Sequence, residues 1–206
     1  MCKLKSVIVL KDKVYCPDHD IHQKMLEELG IEDTTENAMR RFVRCELSPK
    51  AEDNYASDIS GWTMKVDQDI LPDWWDEDAY RAMVEGAVRE WQSKHVIASG
   101  EADVRDGVYY ACGSAKVHAY GSATVHANDY ATVHDYDYAT VHAYGSATVH
   151  ANGSATVIIP EYSVVHEDNI TLADNAILTN HRNKQITMPK QYKVVNNGNE
   201  DRRNAK

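Results

Sequence analysis

A chain of 206 residues with 22 Lys and Arg against 32 Asp and Glu, a formal charge of -10, suits one large domain or two small ones. It disfavours direct DNA binding, which needs basic side chains clustered on one face. No apolar run reaches the ~20 residues of a membrane-spanning helix, and the apolar stretch within MCKLKSVIVLKDKVYC is too short for a signal peptide, so a cytoplasmic protein that engages no membrane is expected.

Residues 1–96 read as a small α+β domain. Ser6 to Leu10 and Val14 to Cys16 flank a Lys-Asp-Lys turn as a hairpin. Asp20 to Leu29 reads as a short helix stopped by Gly30, with Met25, Leu26 and Leu29 on one side. A second helix over Thr35 to Arg41 leads into an extended Phe42 to Leu47, and Gly61 to Val66 is strand-like. Cys16, His19 and His22 carry zinc-ligand chemistry, but no second Cys-x-x-Cys pair accompanies them. They are read as no metal site, and Cys2, Cys16, Cys45 and Cys112 as reduced thiols.

The stretch VDQDILPDWWDED, Val66 to Asp78, gathers Asp67, Asp69, Asp73, Asp76, Glu77 and Asp78 around Trp74 and Trp75. Carboxylates beside exposed aromatics can dock on the Arg and Lys of a partner, with Trp as the anchor. The competing reading sends Ile70, Leu71 and one Trp into the core and leaves Asp76 to Asp78 to favour a helix start. Asp76 caps a predicted helix over Glu77 to His95, whose Tyr80, Met83, Val84, Ala87, Val88 and Trp91 follow the spacing of a buried stripe. This helix is expected to cover the open end of the segment that follows.

From Gly113 the chain repeats every eight residues: GSAKVHAY, GSATVHAN, DYATVHDY, DYATVHAY, GSATVHAN, GSATVIIP, with EYSVVHED in the same frame after the proline. Units this short cannot bury an apolar face alone and imply a solenoid, which accounts for twelve Tyr to one Phe and for ten His. In each unit Ala-Thr-Val-His-Ala has the alternation of a half-buried strand, and the other three positions carry turn formers. Two octads would close one coil of a β-solenoid over residues 97–188. Ala102 to Cys112 and Glu161 to Leu178 would be degenerate coils, and residues 189–206 a polar tail. His118, His134 and His150 would then form one outward column and His126 and His142 the opposite one, with Thr132 and Thr148 beside the first and Thr124, Thr140 and Thr156 beside the second. Thr124, His126, Thr132, His134, Tyr136, Tyr138, Thr140 and His142 make these faces the second candidate contact. A straight ladder of imidazoles lacks the convergence a tetrahedral metal site needs, so solvated His stacked with Thr is expected. With no Ser-His-Asp order, phosphate loop, dinucleotide fingerprint or zinc-protease motif, neither catalysis nor a cofactor or metal is expected.

Two resemblances attach to these residues. AYGSATVHAN, at Ala119 to Asn128 and again at Ala143 to Asn152, resembles the AGYGST-x-T units of bacterial ice-nucleation proteins, with His in place of the second outward Thr. It implies a structural, ice-binding or self-assembling module. SVIVLKDKVYCPDHDIHQKMLEELGI, VDQDILPDWWDEDAY and REWQSKHVI, followed by short strand repeats, resemble a group of small phage and mobile-element proteins, some of them anti-CRISPR proteins. That resemblance implies a non-catalytic, stoichiometric inhibitor in the bacterial host cytoplasm. Apart from the resemblance, the solenoid's end is a candidate homodimer contact; the resemblance gives as partner a type II CRISPR effector nuclease or its guide RNA complex. It assigns no role to any single residue.

Overall fold

The structure, a computed structural model, describes residues 4–50 and 54–189. The tail expected over 189–206 lies, but for its first residue, outside the described residues. Among the described residues no helix is long and apolar enough to cross a membrane.

Strands β1 (Lys5–Val9), β2 (Val14–Tyr15), β3 (Val43–Ser48) and β4 (Thr63–Val66) form an antiparallel sheet in the order β2-β1-β3-β4. Alternation along the strands gives the sheet two apolar faces. Ile8 packs with Met25 and Leu26 of helix α1 (His22–Glu28), with Ala38 of α2 (Thr35–Ala38) and with Phe42. Val7, Val9, Val43, Cys45 and Leu47 pack under α3 (Glu77–His95). The predicted second helix shrinks to one turn, capped by Thr34 and burying only Ala38.

The α3 boundaries match the prediction. Asp76 accepts hydrogen bonds from the Asp78 and Ala79 amides, while Glu77, Asp78, Lys94 and His95 complement the helix dipole. The buried stripe is narrower than expected. Val84, Val88 and Trp91 are buried, whereas Met83 is exposed, because it lies about 100° around the helix from Val84 and a flat sheet reaches only a narrow strip.

The α+β domain continues directly into a β-solenoid, as the octads predict. One sheet stacks β6 (Glu101–Val104), β8 (Lys116–Ala119), β10 (Thr132–Asp135), β12 (Thr148–Ala151) and β14 (Ile170–Leu172). The other stacks β5 (Val96–Ile97), β7 (Val108–Ala111), β9 (Thr124–Ala127), β11 (Thr140–Ala143), β13 (Thr156–Ile159), β15 (Ile177–Asn180) and an antiparallel β16 (Gln185–Thr187). Residues sixteen apart pair in parallel register, Thr132 with Lys116 and Thr148, and His142 with His126. Ala and Val of both sheets fill the interior.

Seven corners place one residue in the left-handed region: Gly113, Gly121, Asp129, Asp137, Gly145, Gly153 and Asp174 all have φ between 52° and 64°. Gly113 is held doubly, since a Cβ there would lie 2.7 Å from the Ala98 carbonyl oxygen. Asp tolerates this backbone and uses its carboxylate to accept from a glycine amide one coil back: Asp129 from Gly113 (3.0 Å), Asp137 from Gly121 (3.2 Å) and Asp174 from Gly153 (3.2 Å).

The first coil meets the α+β domain broadly. Trp91 packs on Tyr110, His95 donates through Nδ1 to the Val108 carbonyl at 2.9 Å and lies beside the Tyr109 ring, and Asn54 donates to Asp129 (2.7 Å). The domain therefore leans on the outer face of β7 as well as meeting its inward-facing Tyr109.

At the far end the octad Glu161 to Asp168 forms no strand, contrary to its frame. Pro160 cannot supply the amide that Tyr144 gives to the Ala127 carbonyl one coil earlier, and the Ser163 hydroxyl donates to Ala143 O instead (2.8 Å). The intervening loop widens the spacing, so that Ile170 pairs with Val149 twenty-one residues before it.

Candidate interaction surfaces

The acidic stretch lies between the end of β4 and the first turn of α3. The Trp74 indole donates to Arg40 O (2.8 Å), Trp75 stacks on Tyr80 (5.4 Å, 21°), and the Tyr80 hydroxyl donates to Lys11 O (2.9 Å). Both Trp are half-buried, so together they form a platform tied to the hairpin. Ile70 and Leu71, which the competing reading sent inward, are each 42% exposed. Asp69, Asp73, Glu77 and Asp78 are exposed around them and form no ion pair among the described residues. Asp76 is committed to its cap, and Asp67 lies 3.3 Å from the His22 ring.

On the solenoid the predicted columns form. His118, His134 and His150 stack at 4.9 and 5.0 Å, and His126 and His142 at 4.8 Å. Thr124, Thr132 and Thr140 lie beside them, and Tyr136 stacks on Tyr120 (5.0 Å), while Tyr138 projects freely at 76% exposure. Contrary to the solvated ladder expected, these His are half-buried, because rings in register cover one another. Burial, reinforced by His142, lowers the His126 pKa to about 4, and burial first and then the neighbouring imidazoles lower that of His134.

The two faces are unequal. Tyr110 caps the His126 column at 5.0 Å, and Tyr55 packs on Tyr110 (4.5 Å), so the α+β domain shields His126 and leaves the His134 face open. Between domain and solenoid lies a cavity of about 190 Å³, lined by Asn54, Tyr55, Tyr110, Cys112, His126, Asn128 and Tyr144. Its walls are mainly aromatic and its size suits a single ring.

One residue escaped the sequence reading. Asp135 occupies the inward position that Ala119 and Ala151 hold in adjacent coils, fully buried, and among the described residues neither carboxylate oxygen has a hydrogen-bond partner. Desolvation raises its pKa to about 8. The signal was one letter, Asp for Ala, in DYATVHDY. Cys16, His19 and His22, weighed together above, point elsewhere: burial raises the Cys16 thiol to about 12, His19 pairs with Glu28 and His22 with Asp67.

These features define the class, an α+β domain joined to a two-sided β-solenoid with eight-residue strand units. Comparison with family models, curated proteins and solved structures finds no match to this chain.

Proposed function

We propose that this chain acts by binding, and that it inhibits a type II CRISPR effector nuclease stoichiometrically, in the host cytoplasm, by occupying a basic surface of the nuclease or its guide RNA complex. The observation that carries the binding reading is the exposed Ile70 and Leu71 pair within a rim of unpaired Asp69, Asp73, Glu77 and Asp78. An apolar centre with a single-sign rim is the arrangement in which burial supplies affinity and charge steers a basic partner. Residues 1–96 hold 20 acids to 13 bases, so the field of the domain reinforces its rim. The nature of the partner rests on the sequence resemblance.

The test is target cleavage by a guide-loaded type II effector. Loss of cutting near equimolar ratio is expected; unchanged cutting at several-fold excess overturns the partner. Replacing Asp69, Asp73 and Asp78 together with Asn should remove inhibition while leaving Tm in place.

The in-register Thr124, Thr140 and Thr156 favour a second reading, a structural or ice-binding solenoid. Thermal hysteresis of the intact chain, lost in Thr140→Val, would support it over the first. Self-assembly would add a second copy at the outer edge of β14, which pairs with no described strand.

A further inference from the structure

We propose that His22, Glu46 and Asp67 form a site for a divalent transition-metal ion of the zinc type. They are far apart in sequence, and three elements bring them together: the start of α1, the middle of β3 and the residue after β4. Antiparallel pairing sets Glu46 against Lys65, and the Asp67 amide donates to Arg44 O (2.9 Å), so Glu46 and Asp67 share the sheet face that α1 packs against. One ligand atom from each of the three lies within 4.8 Å of the other two.

The imidazole supplies the argument for an ion. His22 Nδ1 lies 3.3 Å from Asp67 Oδ2, and Nε2 lies 3.4 Å from the Cys45 carbonyl oxygen. Both ring nitrogens face acceptors, yet a neutral imidazole has one N–H. One contact therefore sets lone pair against lone pair unless a second proton or a metal cation sits between them, and the two carboxylates gathered there, with the Ser6 hydroxyl beside them, favour the metal. With Nε2–H on the carbonyl, the outer contact that commonly orients a metal-bound histidine, the Nδ1 lone pair converges on two carboxylates.

The nearby cations leave this charge uncompensated: Arg44 is engaged by Asp33, and Lys65 forms no ion pair among the described residues. Ser6, the cross-strand neighbour of Glu46, is 1% exposed and its hydroxyl has no partner among the described residues, a second polar group beside the trio left for a metal-bound water. One imidazole with two carboxylates suits Zn²⁺ better than Mg²⁺, and three protein ligands leave room for water.

The experiment is calorimetric titration of the chelator-treated full chain with ZnCl₂ and, separately, MgCl₂, with Tm followed in parallel. One zinc per chain, a higher Tm and no magnesium response are expected. Asp67→Asn, at an exposed position that should not affect folding, and His22→Gln should each weaken zinc binding about tenfold or more. His134→Gln, in the open solenoid column, should not. Zinc binding unchanged by Asp67→Asn, or lost in His134→Gln, overturns the assignment. So does an absence of zinc saturation below millimolar concentration, which would mean that a proton on His22 fills the position.

Discussion

The two halves of the molecule build interiors by opposite means. The α+β domain assembles unlike, bulky side chains from distant elements, Phe42 with Met25 and Ile8 on one face of its sheet and Trp62 with Trp91 and Leu47 on the other. The middle coils of the solenoid use Ala and Val almost alone, most of them touching their own kind one coil away. In the first, an interior position is specified by several remote partners. In the second it is specified by repetition, so a deviant residue meets neighbours that make no provision for it.

Asp135 is that deviant residue and gives the largest predicted effect. Its raised pKa means that the folded chain holds the neutral acid, whereas the unfolded chain ionises near pH 4. Stability is thus full below about pH 4 and declines as pH rises toward 8, with a loss on the order of 4 kcal/mol at pH 7. Asp135→Ala, restoring the residue of the adjacent coils, should raise Tm by roughly 10 °C or more at neutral pH and by clearly less at pH 4, where only the cost of burying an unpartnered neutral carboxyl is relieved. Equal Tm values at pH 7 would refute the account.

The next effect has the opposite sign in pH. His126 is lowered to about 4, so the stability tied to its neutral form is complete above about pH 6.5 and is lost as pH falls toward 4, by about 3 kcal/mol. His126→Gln should flatten the acid limb of a Tm-against-pH profile. All four Trp lie in the α+β domain, so Trp fluorescence set against far-UV circular dichroism separates that domain from the solenoid. Burial pushes the thiols of the half-buried Cys16 and the buried Cys45 up to about 12, and both stay silent over this range.

Two glycines sharpen the contrast further. Gly113→Ala, at a left-handed corner facing the Ala98 carbonyl, should destabilise by about 2 kcal/mol in denaturant titration. Gly86→Ala, inside α3 with open space around it, should stabilise by about 0.5–1 kcal/mol.

The same contrast decides what could be read from sequence. The α3 cap, the octads, the His and Thr columns and the corner residues are local or periodic features, and the structure reproduces them. Departures occur where a distant element intervenes or where a single residue breaks the repeat's hydrogen bonding. Tyr55 and Tyr110 add to the burial that ring stacking already gives the His126 column, and a proline without an amide turns an in-frame octad into a loop. The exposure of Ile70 and Leu71 and the meeting of His22 with Glu46 and Asp67 depend on strand register and on the path of a connecting segment, which no local pattern encodes. Asp135 was legible in principle, since only its place in the repeat was needed.

The corners hold a longer rhythm than the strands. Along one edge the left-handed residues run Gly113, Asp129, Gly145, and along the other Gly121, Asp137, Gly153, Asp174. Aspartates thus never stack on aspartates, and like charges stand about 10 Å apart instead of about 5 Å. The unit that keeps both faces and both edges intact is two coils. Removing one coil would restore every strand pairing yet bring carboxylate onto carboxylate or glycine onto glycine, so changes in the length of this solenoid should be tolerated best in pairs of coils.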